Sequence, residues 1–281
     1  MISGNRRLTL LQAVVVYGTL AVFLIVASFP VYWIVLTSLK KGRDVFNTEE
    51  LLIPSHLTFY NYAELFKENE ISRWVWVSTT LALASTALAL LVGILAAYSL
   101  THFRYKGRHM LALAVFFSYV IPKGLLFIPL FLVLNQLRLV DTFLGLVLAH
   151  ETFSVPFCTW LLYGYFKTLP KELVDAGRID GSSEFGLYWR IGLPLSRAAL
   201  AVLAVLTFLG AWNDYLWPLI VLRTAEKFTY PLGLATLVGL YKVEYGMILA
   251  GALIATVPIL IIFLAGRKQF VAGLTAGALK G

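Results

Sequence analysis

Three charged side chains sit among almost wholly apolar neighbours: Lys123, Glu151 and Asp214, the last inside WNDYLWPL, residues 212 to 219. A charge at the centre of a membrane helix costs about 3 kcal/mol on insertion scales, so such groups face a protein interior or a wet cavity. Two roles fit them. In one, Lys123, Glu151 and Asp214 join Trp212, Asn213, Tyr215 and Trp217 in a polar girdle that bonds a solute's hydroxyls and offers it apolar ring faces. In the other they are structural: a buried Lys123 to Glu151 ion pair, and an Asp214 bonded to backbone near its helix end. Covalent chemistry has no foothold. The sequence contains no Gly-Lys dipeptide, hence no loop of the Walker A type to cradle ATP phosphates, and no nucleophile elbow, HExxH or paired catalytic carboxylates on one helical face. One cysteine, Cys158, rules out an internal disulfide or a multi-cysteine metal site, and no two histidines fall at zinc spacing. No enzyme and no metal site is expected.

The elements that position these residues follow from composition. The 281 residues are 59% hydrophobic and 14% charged, with a mean hydropathy of +0.81, too apolar for a water-soluble globule. Stretches without Asp, Glu, Lys or Arg run from Leu8 to Leu39, Trp74 to Phe103 and Tyr245 to Gly266, each exceeding the roughly 20 residues that cross a bilayer as helix. Allowing one charge inside each adds three more. The expectation is an all-α integral membrane domain with six spans, about 13–36, 74–101, 110–134, 143–166, 198–222 and 245–266. The first is too long for a signal-peptide core and lacks a small-residue cleavage site, so it is expected to be a retained helix. At 1.5 Å per residue, Lys123, Glu151 and Asp214 all lie roughly 12 to 16 Å from the same side, near mid-membrane.

With six spans both termini share a side. The N-terminus, the 101–109 and 167–197 loops and the C-terminus carry 13 Lys and Arg against four acids, whereas the other loops carry nine of each. The positive-inside rule therefore places both termini in the cytoplasm and assigns the net charge of +8 to membrane orientation rather than nucleic acid. Pro122, Pro129, Pro156, Pro218 and Pro258 fall inside expected spans, where each removes a backbone donor.

All four acids on the positive side lie in ELVDAGRIDGSSEF, residues 172 to 185. Pro170 suits a first helical turn, Lys171 to Asp180 continue it, Gly181 supplies a left-handed stop, and Ser182 or Ser183 caps a second short helix. Leu173, Ala176, Gly177 and Asp180 share one narrow face at i, i+3, i+4 and i+7. A glycine inside a helix costs about 1 kcal/mol relative to alanine, which points to close approach of another surface. Asp175 has Lys171 and Arg178 within helical reach. The segment is either a solvated loop with weak ion pairs or a docking knob.

The stretch PKELVDAGRIDGSSEFGLYWRIGLPLS, residues 170 to 196, resembles the cytoplasmic EAA loop of ABC import permeases: Glu-Ala-Ala, three residues, Gly, then Ile-x-Leu-Pro. The matching positions here are Asp175, Ala176, Gly177, Gly181, Ile191, Leu193 and Pro194, with Asp for Glu, Gly for the second Ala, and Ser182 where Ala usually follows. PVYWIVLTSLK, PSHLTFYNYAELF, AAYSLTHFRYKGR, WNDYLWPL and the ending GLTAGALKG are similar to the maltose-type carbohydrate subgroup, in particular its MalG-like permease.

The resemblance implies a coupling helix between membrane helices 4 and 5 that seats in an ATP-binding subunit, with Glu172, Leu173, Asp175, Ala176, Gly177, Asp180 and Gly181 at the contact. It implies a tail, residues 267 to 281, that reaches the ATPase through Gly273, Thr275, Gly277 and Lys280. The partners implied are a second, MalF-like permease, two ATP-binding cassette subunits that hold ATP and Mg, an extracytoplasmic sugar-binding protein and a carbohydrate, all at a prokaryotic cell membrane. The rival is a self-sufficient secondary transporter or channel using Glu151 or Asp214 as an ion site.

Overall fold

The computed structural model describes residues 9–46, 56–68, 70–238 and 244–278, and these are almost wholly helical. In chain order the helices are α1 (Leu10–Ser38), α2 (Tyr60–Glu68), α3 (Ile71–His102), α4 (Arg108–Val120), α5 (Lys123–Gln136), α6 (Phe143–Lys167), α7 (Lys171–Ile179), α8 (Glu184–Leu187), α9 (Leu193–Leu195), α10 (Arg197–Trp212), α11 (Leu216–Val221), α12 (Tyr230–Ala235) and α13 (Tyr245–Ala278). Four of them, α1, α3, α6 and α13, are long and apolar enough to cross a bilayer. Two further candidates are broken: α4 and α5 meet at 102°, and Glu184–Leu195 meets α10 at 70°.

The chain divides into two compact units. In the first, residues 1–69 with 237–254, Thr9 and Gln12 close a reciprocal capping box at the start of α1. At the other end of α1 buried Asn61 donates to the carbonyls of Ser38 and Lys40, both at 2.7 Å, satisfying acceptors that a terminating helix leaves open. A side chain at Gly246 would collide with Asn61, so that glycine leaves room for the cap.

The second unit, residues 70–236 with 255–281, is built on α3 and α6. Leu81 of α3 packs with Leu146 and Val147, while Ala89, Ala97 and Tyr98 pack with Cys158, Leu162 and Phe166, so the two helices run in the same direction. Gly93 permits their close approach: a Cβ there would stand 2.7 Å from Cys158 Cβ. Helices α4 and α10 pack against this pair.

Where α4 stops, Ile121 has φ −59° and ψ 125°, extended rather than helical, as expected before Pro122, whose ring disfavours α geometry in its predecessor. The expected 110–134 segment is thus two helices, and Lys123 begins the second. The expected 198–222 segment is also interrupted: α10 ends at Trp212, and α11 opens at Leu216. Pro218 explains this, because it cannot donate to the carbonyl of residue 214 and its ring would clash there. Pro129, Pro156 and Pro258 remain inside helices.

Candidate functional site

Both breaks open onto the same place. Two adjoining hollows of about 300 and 290 Å³ share Lys123, Gly210 and Trp217 in their walls. Helix α6 supplies His150, Phe153, Ser154 and Phe157, at i, i+3, i+4 and i+7, to the first; Asn213 and Asp214 line the second. Gly124 of α5 and Gly210 of α10 face open space, with nothing within 4 Å of where a Cβ would be. Lys123 extends over the Phe153 ring, its Nζ 5.4 Å from the centroid. Asp214 has two tasks. Its Oδ1 accepts from the backbone N–H groups of Leu216 and Trp217 at 3.0 and 3.4 Å, capping α11, and its Oδ2 lies 3.5 Å from His150 Nε2.

Of the residues singled out by sequence, Lys123, Asn213 and Asp214 therefore come together, and Asp214 also takes the backbone-bonded place of the structural alternative. The expected ion pair between Lys123 and Glu151 does not form among the described residues. Glu151 is buried, and neither of its carboxylate oxygens has a hydrogen-bond partner among the described residues. One residue along the helix, His150 takes the wall position. Trp212 is not a wall residue; it is buried between Phe208 and Tyr230, donating from Nε1 to the Ala255 carbonyl at 3.1 Å. Tyr215 is exposed in the turn before α11. His150 carries no fixed charge and so escaped a search for charges in apolar stretches, although the stripe His150, Phe153, Ser154, Phe157 was the available signal.

A second feature lies at residues 171–196. Helix α7 ends with Asp180 as its C-cap, Gly181 takes φ +78°, and Ser183 caps α8, its Oγ accepting from Gly186 N at 3.1 Å. Arg178 ties the two helices, donating from Nε to Glu184 at 2.9 Å and from Nη1 to Asp175 at 3.2 Å. Those bonds hold its guanidinium pKa above the usual arginine value, the bond to Glu184 contributing most. Gly177 faces inward: a Cβ there would stand 2.5 Å from Leu187 Cδ2 and 3.1 Å from Ile191 Cδ1. Its smallness serves packing within the segment, which supplies the close approach its position in a helix demanded. Glu172, Asp175, Ala176 and Asp180 are exposed, as are the apolar Leu173, Ile179, Phe185 and Trp189, Ile179 at 86%. From α8 the chain passes through a π-helical turn, Tyr188–Gly192, that rests on α3. The Tyr188 ring meets Tyr98 at 5.2 Å, and Gly192 is held against the same tyrosine. Tyr98 in turn meets Phe166 at the end of α6.

Gly273, Thr275 and Gly277 lie within α13, which continues to Ala278 as helical backbone; Lys280 lies outside the described residues. A third polar centre went unread in the sequence. Asp141, with φ +58°, accepts from the backbone N–H groups of Arg223 and Thr224, from Thr224 Oγ1 at 2.6 Å and from Lys227 Nζ at 2.8 Å. Desolvation alone would raise its pKa, but these donors, Lys227 first, hold the carboxyl well below the usual carboxylate range.

The described residues thus combine helices apolar enough to cross a membrane, a hollow with polar groups in its wall, and an exposed apolar knob that rests on α3. Comparison with known proteins identifies the family. The chain belongs to the family described as the binding-protein-dependent transport system inner membrane component, which matches residues 89–268 and so includes the knob. It is 37% identical to the arabinooligosaccharides transport system permease protein AraQ of Halalkalibacterium halodurans, over 91% of this chain and 92% of that one. It is 34% identical to the trehalose transport system permease protein SugB of Mycobacterium tuberculosis (91% and 93%) and to the galactooligosaccharides transport system permease protein GanQ of Bacillus subtilis (94% and 94%). In fold it matches a bacterial ABC transporter chain involved in the import of alginate, with a TM-score of 0.75 and 23% identity, over 92% of this chain and 96% of that chain. This is an inner-membrane permease component, and hydrolysis of ATP falls to separate subunits.

Proposed function

We propose that this chain is one of two transmembrane subunits of an ATP-driven carbohydrate importer, with its termini in the cytoplasm and six passages through the bilayer. Supporting this, the curated relatives named above are all permeases for sugars or oligosaccharides. A binding protein delivers the solute outside; a second permease completes the pathway; two ATP-binding subunits close on ATP and Mg. The hollow walled by Lys123, His150, Asp214, Tyr119 and Trp217 is this subunit's share of the path. Aromatic faces there match the apolar faces of a sugar ring, and the polar groups match its hydroxyls.

The observation that carries the reading is the knob. Leu173, Ile179, Phe185 and Trp189 stand exposed on a segment stiffened by Arg178 and Gly177, and an apolar surface held this firmly suits a groove in a partner. When the ATPase subunits close, the knob moves with them, and Tyr188 and Gly192 press the displacement onto Tyr98 and thus onto α3 and α6. The tail from residue 267 adds a further contact with the ATPase. Replacing Ile179→Asp tests the docking: the permease pair is expected to purify intact while co-purification of the ATPase falls by about tenfold. Undiminished ATPase recovery with this variant would reject the assignment of the knob. The self-sufficient transporter with Glu151 or Asp214 as an ion site finds no support in the family.

A further inference from the structure

Two tyrosines stand where the knob segment meets the long helices, and their hydroxyls differ. Tyr165, near the end of α6, donates to the Leu195 carbonyl at 2.8 Å and so ties α6 to α9. Tyr98, near the end of α3, has a buried hydroxyl with no hydrogen-bond partner among the described residues. Thr101 and Thr207 return their hydroxyls to a carbonyl one turn back, but a tyrosine hydroxyl stands too far from its own backbone for that and needs another element. The Tyr98 ring cannot swing to find one. His102 stacks on it at 4.2 Å, Phe166 and Tyr188 meet it edge to face at 5.7 and 5.2 Å, and a Cβ at Gly192 would stand 2.9 Å away. Across the joint, Glu184 opens α8 and recurs with Tyr188 and Gly192 every fourth residue, on the stripe that rests on Tyr98. Its Oε1 accepts from Arg178, whereas Oε2 is covered and has no hydrogen-bond partner among the described residues. The charges of Glu184 and Arg178 both act on the Tyr98 hydroxyl, so an unused donor and an unused acceptor lie near each other without bonding. Both atoms are sealed by this chain's own residues, which puts them beyond the reach of a neighbouring subunit. Movement of the knob against α3 is what can join them.

Resting on the role proposed for the knob, we infer that Tyr98 is a positioning residue for coupling: when the ATPase closes and the knob moves, its hydroxyl donates to Glu184 Oε2 and latches α8 to α3. Tyr165 is then the fixed tether of the joint, and Tyr98 the one made and broken in each cycle. A hydroxyl on a carboxylate makes a directional, charge-assisted bond, whereas ring contacts permit sliding, so the latch gives the closed state one defined knob position. Arg178 stays on the other oxygen of Glu184, and forming the latch therefore breaks no bond already present. Because the latch exists in one state only, losing it weakens the binding of any ligand that favours that state.

The test uses the complete transporter, with permease pair, ATPase and cognate binding protein, reconstituted in liposomes. The probe is the non-hydrolysable ATP analogue AMP-PNP with Mg. Tyr98→Phe removes the hydroxyl and keeps the ring. It is expected to lower the apparent affinity for AMP-PNP by about tenfold, although the residue lies in the permease, while the ATPase is recovered on purification in the same amount as from the parent. Glu184→Gln keeps an acceptor for Arg178 and removes the second carboxylate oxygen. Alone it is expected to lower the affinity comparably, and together with Tyr98→Phe to add almost nothing. Equal AMP-PNP affinity in Tyr98→Phe and the parent overturns the latch and leaves the docking role of the knob standing. An effect of Glu184→Gln that is as large with Tyr98→Phe as without it overturns the pairing. Loss of the ATPase from Tyr98→Phe on purification makes the hydroxyl a structural group and overturns the inference too. Undiminished ATPase recovery with Ile179→Asp instead rejects the knob assignment itself, and the latch falls with it.

Discussion

Asp141 shows how much one side chain can organise. It pins the loop entering α6 to the segment 222–227 by two backbone donors, a hydroxyl and an ammonium, and its own N–H donates to the Val221 carbonyl at 2.8 Å. A carboxyl whose folded pKa lies below its unfolded value stabilises the fold above the unfolded pKa and loses that contribution as pH falls toward the folded one. Asp141→Asn should therefore lower the melting temperature of the solubilised protein at pH 7, and the gap from the parent should narrow only below about pH 4. A gap that closes between pH 5 and 7 would contradict the clasp. Residue chemistry was unevenly legible in the sequence. Lys123 and Asp214 announced themselves as charges in apolar runs. Asp141 did not, because its partners are more than 80 positions away and it sits in an ordinary polar loop. Trp212 was misplaced for a similar reason: its indole donates to Ala255, a partner no local pattern names.

At the scale of elements, the knob was the most legible part, since its signals are local: Pro170 at the start, Gly181 at the left-handed turn, Ser183 at the second cap. What the pattern did not reveal is which way Gly177 faces. A helical glycine requires a close neighbour, and Leu187 and Ile191 of the same chain are that neighbour. Gly177→Leu is accordingly expected to weaken ATPase binding by pushing α8 from α7, and trimming Leu187→Ala in the same chain should restore part of it. If the second change gives no recovery, the glycine answers to the partner instead. The helix breaks were half legible. Pro122 and Pro218 were visible as missing donors, but so were Pro129, Pro156 and Pro258, which helices accommodate. The difference lies in local context: Ile121 adopts extended geometry before its proline, and Asp214 offers a cap that lets a new helix begin.

For the whole molecule, composition and hydrophobic runs made the helical membrane class plain, because lipid leaves a chain few ways to satisfy its backbone. Function is a property of the assembly. In the assembly proposed above a second permease faces the hollow and an ATPase groove receives the knob, and the family itself is described as binding-protein-dependent. The central claim is that transport by this chain is driven by ATP through the knob, so the most direct measurement is solute uptake into liposomes holding the permease pair with and without its ATPase. Binding-protein-dependent sugar uptake should require both the ATPase and ATP, and should disappear with Ile179→Asp. Uptake by the permease pair alone, driven by an ion gradient and unaffected by ATP, would contradict it.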